Sequence, residues 1–511
     1  MVLSDAWKRW FSSPSRAEHA SLRHHIRWLR AYNERLKAKY DGAGTNPEME
    51  RYWSQADHRS PRAANDISVR CKLRSRSRYE CCESNSFARG MVLAKGNDII
   101  GVGPMLQVTT EDNDLNKAIE TKWESYARSI MLPRKLRTVQ IAKIVDGESF
   151  AQRTFNQKNR DQVKLDVLRT EADLWTDPYA DGSDPDYVDG VRYDGQGNPV
   201  SYRRLRSHPG DNYNLDTQAD DYDADDVIHW YREDRPDQRR GVPEFTPALP
   251  LFAELRRYRL AVLSAAETAA DFTAIMYSDA SAFNENPDEM DEDFIKIDLE
   301  RRTMMTLPAG WKMSQLKAEQ PTTEFGAFSE HILMEIGRVC QMPLNLVAGT
   351  SKDYNFASGR LDYMLYWSHC DVERYDFGLA VMDQIFGWWL DEALLVPGYL
   401  PSFGDVRDVP HEWIWPPRRP IDEVNAAQAD QIRWQLGYLT DEAWAKREQV
   451  DLAQHYDELA RMIEARSAIG APVPNASSQQ QQNADNGQNP GSQPNETEND
   501  NQTRPAEETP A

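Results

Sequence analysis

The chain has 511 residues, 40% of them hydrophobic, so it can build a packed core and is too long for one ordinary domain of about 150 residues. Its 60 basic and 82 acidic side chains give a net charge of −22, which argues against a protein that grips nucleic acid through its overall charge. Five cysteines exclude a disulfide scaffold, and we expect neither a signal peptide nor a membrane-spanning helix, because no apolar run approaches roughly 18 residues.

The charge is unevenly distributed along the chain. Residues 1–90 carry 18 basic and 10 acidic side chains, a net of +8, so the other 421 residues carry 42 and 72, a net of −30. The basic side chains form two clusters: Arg23, Arg27, Arg30, Arg35, Lys37 and Lys39, then Arg70, Lys72, Arg74, Arg76 and Arg78. Such clusters can contact phosphate or an acidic surface, but we favour a solvated helix face whose charges pair with acidic neighbours.

The N-terminal part of the chain is predicted to be helical. Apolar residues at helical spacing indicate three helices, at 15–40, at 67–97 with a polar interruption, and at 113–131. In the third helix we expect Ala118, Trp123 and Ala127 to form a buried stripe.

A β-rich region follows from about residue 138 to 232. Short runs of strand-forming residues alternate with Asp, Gly, Pro and Asn turns and predict strands at 163–168, 190–193, 200–205 and 227–231. The stretch 177–226 contains thirteen Asp and no Glu. A calcium loop would need a terminal Glu, so we interpret the stretch as a solvated turn region between strands. A metal-dependent DNA-processing enzyme that uses these Asp residues is the alternative.

A long helix is predicted at 251–278, where 28 residues contain neither Gly nor Pro and are rich in Ala. At 1.5 Å per residue, this helix would be about 42 Å long. Nine acidic residues and one Lys follow at 279–300, and then two short strand-like pieces at 304–307 and 311–316. Helical periodicity returns at 323–340.

The C-terminal part begins with a polar loop, expected at 347–359. It is followed by an aromatic-rich helix at 359–395, whose aromatic stripe we interpret as core. The Pro-rich segment 397–420 is expected to be non-helical, and helices are expected at 422–437 and 440–466. The last 45 residues contain 14 Asn or Gln and no aromatic residue, which predicts a disordered tail.

Sequence motifs for catalysis are absent. The chain has no phosphate-binding loop, GxSxG, HExxH or paired CxxC motif. A zinc site built from His58, Cys71 and Cys82 would be strained, and His229, in a strand-like run, is most simply a satisfied structural histidine. We therefore predict no catalytic residue, no cofactor and no metal site, and we expect a component of a large assembly rather than an enzyme.

Nine short motifs occur in a specific order. They are YDGA (40–43), RSRSR (74–78), NSFARG (85–90), IHWYREDRPDQ (228–238), RGVPE (240–244), LPAGW (307–311), MPLNLVAG (342–349), YNFASGR (354–360) and WPPRRP (415–420). Each is weak alone, but together they span about 400 residues in order, and the chain resembles the phage portal proteins of the lambda family over most of residues 36–466. One departure, Cys340-Gln341 before the MPLNLVAG motif, does not disturb the assignment.

The resemblance implies an α+β, mostly α, portal fold with a mixed α/β wing, stem helices, a clip and an α-helical crown. Such chains assemble into a ring, usually of twelve subunits, at one capsid vertex. Double-stranded DNA would be packaged through the ring by the large subunit of terminase, a separate ATPase, and later ejected. Further implied partners are the major capsid protein or scaffold and the head-tail connector proteins, with no membrane. The implied location is the virion, after assembly in the host cytoplasm. A capsid scaffold or adaptor without a channel is another alternative for the function of the chain.

The resemblance also divides the chain into parts. In order, these are a basic N-terminal arm with outer wing helices (1–95), a β-rich wing (96–245), the first stem helix (246–278), the clip (279–322), the second stem helix (323–342), the tunnel loop (343–360), a wing return helix and loop (361–421), crown helices (422–466) and the disordered tail (467–511).

Three sets of site residues are implied by this mapping. Residues of the tunnel loop that would approach DNA are Lys352, Asp353, Tyr354 and Asn355. Residues of the clip that would face terminase or connector proteins are Asn286, Asp288, Glu289, Asp291 and Glu292. Residues of the stem where subunits would pack are Ala261, Ala265 and Ala269. It stays open whether Tyr354 and Phe356 instead anchor the loop to the wing.

The net charge suits such a ring. At −22 per copy, twelve copies carry a formal charge of about −260, which counterions reduce. Because an acidic channel repels phosphate, DNA would slide through it rather than stick.

Overall fold

The structure is a computed structural model that describes residues 25–27, 54, 56–177, 187–211, 218–271, 275–278, 311–314, 324–352, 354–401, 409–418, 420 and 422–472. Most of the helix predicted at 15–40, the strand-like piece at 304–307 and the tail beyond residue 472 lie outside these residues. The chain divides into two units, Met1–Val69 with Glu233–Arg239, and Arg70–Arg232 with Arg240–Ala511. The described residues are mixed α and β, and mostly helical.

Helix α1 (Pro61–Ala64) lies in the smaller unit. It begins at Ser60, whose hydroxyl accepts a backbone hydrogen bond from the first turn. Arg62 and Arg239 both pair with Asp237, at 3.5 and 2.7 Å. The contact of Arg62 with Asp237 joins the two stretches of chain that form the unit.

The larger unit begins with two helices separated by a π-helical turn. Helix α2 (Ile67–Arg78) runs into the π turn Tyr79–Ser84, and helix α3 (Ser86–Ile100) follows. The side chain of Asn85 accepts the first free backbone N–H groups of α3, which is the ordinary role of an N-cap residue. The predicted polar interruption of the 67–97 helix is therefore confirmed.

A strand and a helix come next. Strand β1 (Met105–Val108) precedes helix α4 (Asn113–Ser129), as predicted, and in α4 Trp123 is buried. Ala118 and Ala127, predicted beside it, are half-buried. Strand β1 pairs with β11 (His411–Ile414), a strand that lies within the predicted non-helical segment.

Helix α5 (Leu132–Asp146) corrects the prediction that β structure begins at about residue 138. Its β-branched residues favour a strand locally, but its buried residues, including Leu136, Val139 and Lys143, follow helical spacing. Tertiary packing therefore outweighs the local preference. The helix ends at Gly147, whose φ of +86° is a conformation that suits glycine.

Two antiparallel sheets confirm the β-rich region. The first has the strand order β3-β2-β8, with β2 (Glu148–Phe155) between β3 (Leu165–Thr170) and β8 (Val227–Tyr231). The second has the order β4-β5-β6-β7, made of β4 (Tyr187–Val188), β5 (Val191–Tyr193), β6 (Pro199–Leu205) and β7 (Ala219–Asp223). The first five residues of β2 are buried, because this strand has a neighbour on each side.

A helical hairpin follows the sheets. Helix α6 (Leu249–Asp271) leads to strand β9 (Ile275–Ser278), which pairs antiparallel with β10 (Trp311–Ser314), and helix α7 (Glu324–Val339) returns. The prediction that the first helix continues to residue 278 is wrong, since residues 275–278 form a strand instead. The helix at 323–340 and the strand-like piece at 311–316 are confirmed.

The aromatic-rich segment is helical, as predicted, but it is not one regular helix. After the short helix α8 (Leu344–Ala348), helix α9 (Phe356–Phe377) continues through a π turn (Gly378–Met382) into helix α10 (Asp383–Leu395). Because α8 and α9 occupy both ends of the predicted 347–359 loop, its described non-helical residues are only 349–352, 354 and 355. The predicted loop was therefore too long.

The last described part contains three helices, α11 (Glu423–Gln435), α12 (Asp441–Glu448) and α13 (Leu452–Ala468). A single helix predicted at 440–466 is wrong. Gln449 adopts a φ of +56°, which ends α12, and the side chain of Asp451 then caps α13. No residue of α11 or α13 is buried in the single chain.

The main core is dominated by aromatic side chains. The ring of Trp123 lies 5.5 Å from that of Phe386, 5.4 Å from Trp389 and 5.7 Å from Trp413, measured between centroids. The interpretation of the aromatic stripe as core is confirmed for Phe386 and Trp389, but it is wrong for Tyr375, which is exposed. Within the described part of the chain, no helix is both long enough and apolar enough to cross a bilayer.

Candidate functional site

The loop between α8 and α9 carries the residues predicted to approach DNA. Gly349 ends α8 with a φ of +66°, and the backbone N–H of Thr350 donates to the carbonyl of Asn345 at 3.1 Å. Lys352 is exposed on this loop, and its backbone N–H donates to the hydroxyl of Thr350 at 3.3 Å. Asp353 lies outside the described residues. The loop is thus a short turn bounded by two helices.

Tyr354 and Asn355 both support the start of α9. The Asn355 side chain accepts the backbone N–H of Ser358 at 2.8 Å and caps the helix. Tyr354 is half-buried, and burial together with the neighbouring carboxylate of Asp362 raises the pKa of its hydroxyl. These contacts agree with the anchoring role that the sequence left open for Tyr354, and they leave Lys352 as the exposed cation.

The α6–α7 hairpin carries the residues predicted for subunit packing. Ala261 is exposed and Ala265 is half-buried; Ala269 lies within α6, but its side chain is outside the described set. The ring of Tyr258 on α6 stacks on Phe325 at 5.6 Å and meets Phe328 edge-on at 4.6 Å, so aromatic contacts join the two helices. The five acidic and amide residues predicted for the clip, at 286–292, lie outside the described residues.

Three of the five basic residues on α2 face the protein interior, which corrects the interpretation of a solvated face but confirms that the charges pair with acidic neighbours. Arg70 and Arg74 are buried and Arg78 is half-buried, whereas Lys72 and Arg76 between them are exposed. The three inward residues are spaced four apart, which places them on one side of a helix.

Glu148, at the start of β2, is the centre of a buried charge cluster. Its carboxylate accepts hydrogen bonds from Arg74 and from Arg240, whose Nη2 lies 2.6 Å away, and from the backbone N–H of Gly241 at 2.8 Å. Although burial alone would raise its pKa, Arg240 and Arg74 hold the pKa of Glu148 well below 4.5. Glu148 is therefore ionised in the folded chain.

The rest of this cluster balances its charge. Arg70 and Arg240 pair with Asp189, Arg74 and Arg78 with Asp173, and Arg78 with Asp146. Four arginines thus face four carboxylates. We call these eight residues the Glu148 cluster; they are Arg70, Arg74, Arg78, Asp146, Glu148, Asp173, Asp189 and Arg240.

His229 completes the cluster from β8. Its Nε2 lies 3.0 Å from the carboxylate of Glu148, and its ring stacks on Phe150 at 4.2 Å. Burial lowers the pKa of His229 below 6.5 in spite of the carboxylate, so the ring is neutral at pH 7 and donates to Glu148. The prediction of a satisfied structural histidine is confirmed.

A second buried cluster lies near the first. Nζ of Lys143 on α5 lies 2.5 Å from a carboxylate oxygen of Glu244 and of Glu373, and Nζ of Lys95 on α3 lies 2.6 and 3.2 Å from the same two residues. We call these four residues the Lys–Glu quartet. Burial opposes the effect, but Lys143 and Lys95 hold the pKa of Glu244 far below 4.5. The quartet joins α3, α5 and α9 to the chain just before α6.

The RGVPE motif (240–244) belongs to both clusters. Arg240 enters the Glu148 cluster, and Glu244 enters the Lys–Glu quartet. Between them, Gly241 lies so close to the chain before β2 that a Cβ would collide with the carbonyl oxygen of Gly147. Sequence reasoning singled out this motif only as a resemblance; its buried role depends on partners about 90 to 150 residues away.

The Asp-rich segment pairs with basic strand residues where it is described. Arg203 binds both oxygens of Asp221, at 2.7 and 3.1 Å, and Arg206 binds Asp220, at 2.6 Å. These Asp residues lie on β7 and their partners lie on or just after β6, so the charges neutralise each other across one strand pair. The interpretation of a solvated turn region is right for the turns but missed this pairing.

Among the described residues, one trio could in principle hold a metal: Glu171, Asp173 and His208. The backbone N–H of Gly210 donates to Nδ1 of His208, so the proton of the neutral ring is on Nε2, 3.0 Å from Glu171. Both oxygens of Asp173 already accept from arginines of the Glu148 cluster. The two oxygens of Asp173 are therefore already engaged within the protein, whereas Nε2 of His208 makes no hydrogen bond to any described residue.

A cleft of about 450 Å³ lies between α3, α9 and the segment at 416–418. Three of its charged side chains, Asp98, Arg374 and Arg418, make contacts within the chain. Tyr366 donates to Asp98 at 2.9 Å, Arg374 donates to the Asp98 carbonyl at 2.8 Å, and Arg418 lies over the ring of Trp367, 5.5 Å from its centroid.

The fold and these clusters define a class of protein, a structural chain whose buried charged groups hold secondary-structure elements together. A family model described as phage portal protein, lambda family, matches residues 48–374. The chain belongs to the lambda family of phage portal proteins, a family of structural assembly components.

Individual relatives are distant. A probable portal protein of Halomonas phage phiHAP-1 is 24% identical over 356 residues, which cover 64% of this chain and 65% of that protein, so the match spans just under two thirds of the relative's length. Among solved structures, a chain of the virion of a native gene transfer agent particle is 13% identical with a TM-score of 0.40, covering 80% of this chain and 100% of that one. A chain of the neck of the empty particle, with C6 symmetry, is 14% identical with a TM-score of 0.42, covering 74% and 93%.

Proposed function

We propose that this chain forms a ring, of twelve copies by the family's usual number, at one vertex of a phage capsid. Double-stranded DNA passes inward through the ring when terminase packages it and outward at ejection. The ring is also the docking platform for the terminase large subunit and for head-tail connector proteins. It is a conduit without catalysis of its own, located in the virion.

The family membership carries this proposal. The matched residues 48–374 include both buried charge clusters and the whole α6–α7 hairpin. In the proposed ring, α6 and α7 are the stem helices, the chain between β9 and β10 leads into the clip, and α11, α12 and α13 are the crown. The Glu148 cluster and its two sheets belong to the wing.

The net charge of −22 is consistent with such a conduit. Because phosphate is repelled by an acidic wall, DNA can move without being gripped. The loop at 349–355 is proposed to meet the duplex, with Lys352 as its exposed cation and Asp353 next to it. Tyr354 and Asn355, predicted to approach DNA, are assigned here to holding the loop on α9.

The alternative of a metal-dependent enzyme in the Asp-rich region loses support from the same structure. The carboxylates of Asp220 and Asp221 pair with arginines, and no described group there is arranged to activate water. The scaffold or adaptor alternative differs from the proposal in one observable, the channel.

Electron microscopy of the purified full chain tests the proposal. We expect closed rings with a central hole; a monodisperse monomer, or a solid assembly without a hole, would refute it. A second arm uses a chain in which residues 350–354 are replaced by Gly and Ser, with Asn355 kept as the cap of α9. Rings should still form, whereas DNA packaging or retention in assembled particles should fall; loss of rings would reassign the loop to subunit structure.

A further inference from the structure

Helix α9 exposes a row of apolar side chains on the side opposite the core. The row consists of Leu361, Leu365, Val372, Tyr375 and, in the π turn, Leu379, which are 64, 71, 61, 66 and 55% exposed. We call it the α9 seam. The opposite side of the same helix is buried and includes Tyr366, Cys370 and Phe377. A helix that is apolar on both sides is normally covered on both sides.

The spacing of the α9 seam is typical of helix–helix packing. Its members follow intervals of three and four residues, with Ser368 filling the one polar position, which is the 3.5-residue repeat of a packed helical pair. Asp371 and Asp376 flank the seam on its two sides. Asp371 pairs with Arg418 at 2.5 Å, whereas Asp376 makes no ion pair with any described residue.

Helix α6 carries a second exposed apolar face, with arginines beside its leucines and the exposed Glu267 one turn beyond Leu263. Leu260 and Leu263 are 59 and 55% exposed, and Arg257 and Arg259 flank them. Neither arginine forms an ion pair within the part of the chain that the structure describes. We call these four residues the α6 face. It points away from α7, because Tyr258, on the other side of α6, makes the contact with α7.

We propose that the α6 face of one copy packs on the α9 seam of the next copy in the ring. This inference rests on the proposed function and names the contact that closes the ring. Leucines of the α6 face would cover the seam, and Arg257 or Arg259 would meet Asp376. Copies that met through identical faces would instead bring arginine to arginine or aspartate to aspartate, which is repulsive.

A contact between two different faces has a further consequence. A pair of joined copies leaves one face of each kind uncovered, and so does any open row of copies; only a closed ring covers all of them. The pairing therefore predicts that damage to either face alone abolishes the ring.

Two single variants of the full chain test this, Val372→Glu in the α9 seam and Leu260→Glu in the α6 face. Each should be monomeric by mass photometry at a concentration where the unchanged chain forms rings. Leu395→Glu, at an 80% exposed residue of α10 outside both faces, is the matched control and should still form rings. Circular dichroism should show all three to be folded, since the changed side chains are exposed.

Mixing the two single variants separates this pairing from a symmetric one. The intact α6 face of the Val372→Glu chain can bind the intact seam of the Leu260→Glu chain, but no further copy can add. An equimolar mixture should therefore give dimers and no rings. If like faces met instead, a variant that keeps the pairing face intact would still form an oligomer by itself. That result would overturn the proposal.

Charge reversal gives a finer test. Asp376→Arg should weaken association by about fivefold, the effect of about 1 kcal/mol expected for an exposed pair, and Arg257→Asp with Arg259→Asp in the same chain should restore it. If the unchanged chain forms rings and both glutamate variants do so equally, the proposed contact is wrong while the proposed function stands. If the unchanged chain is itself a monomer, the proposed function is wrong and the contact fails with it.

Discussion

The Glu148 cluster and the α9 seam are opposites. In the cluster, charged side chains lie inside the protein and each has a partner of opposite charge within the same chain. In the seam, apolar side chains lie outside, and no described residue covers them. The single chain thus pairs the buried charges of the cluster by itself, whereas it leaves the apolar side chains of the seam uncovered. Changes in the two regions should therefore be seen in different measurements, unfolding for one and assembly for the other.

The largest expected effect on unfolding is at the centre of the cluster. Glu148→Gln keeps the shape of the side chain but leaves Arg74 and Arg240 buried without their counter-ion, which should lower the free energy of unfolding by about 3–5 kcal/mol. Urea unfolding followed by tryptophan fluorescence, at one fixed protein concentration, measures it. Glu124→Gln, in an exposed pair with Arg128, is the matched control and should cost less than about 1 kcal/mol. Equal effects of the two changes would contradict the assignment of Glu148 as the central ion.

A smaller effect is expected from pH, through His229. Its pKa in the folded chain lies below 6.5, so below that pH the unfolded chain binds a proton that the folded chain does not. Stability should therefore be complete above pH 6.5 and fall as the pH drops below it, by at most about 1.4 kcal/mol per pH unit for this one group. His229→Gln keeps a donor for Glu148 but cannot titrate.

The comparison of His229→Gln with the unchanged chain isolates this group. The free energy of unfolding should fall less steeply in the variant between pH 6.5 and 5, whereas both chains should fall together below pH 4.5. There Glu148 and Glu244, whose pKa values are lowered by folding, begin to take up protons in the unfolded chain. Identical slopes between pH 6.5 and 5 would show that His229 is not the neutral buried donor.

The smallest effect is expected at the start of α9. Asn355→Ala removes the side chain that caps the helix and should cost about 1 kcal/mol, while Asn355→Asp, which can still accept the backbone N–H of Ser358, should cost much less. Urea unfolding again measures both. Equal losses for the two variants would argue against the capping role, and loss of DNA retention without loss of stability would return Asn355 to the DNA-facing set.

How far the sequence predicted the fold depended on whether a signal was local. Strands such as β6 and β8 and the helix α4 were predicted well, because their patterns are complete within a few residues. Helix α5 was mistaken for β structure, since Val139 and Ile144 favour strands locally and only its burial against other elements decides for a helix. The end of α6 was missed because β9 is a strand only through its pairing with β10.

The buried site was the least predictable part. The four-residue spacing of Arg70, Arg74 and Arg78 was visible and could have indicated one helix face, with Lys72 and Arg76 on the other. It could not indicate an inward face, because arginine is rarely buried and its partners are supplied by distant strands. Glu148 itself carries no sequence signal, since one Glu before a strand is ordinary.

The RGVPE motif has a mechanical consequence. A segment held at a single point can still rotate about it, but this one is held at both ends, by Arg240 in one cluster and by Glu244 in the other. Helix α6 begins at Leu249, five residues after the second attachment at Glu244. The start of α6 is thus held through this segment, so a load applied along that helix would be carried by two separate sets of ion pairs rather than by a single pivot.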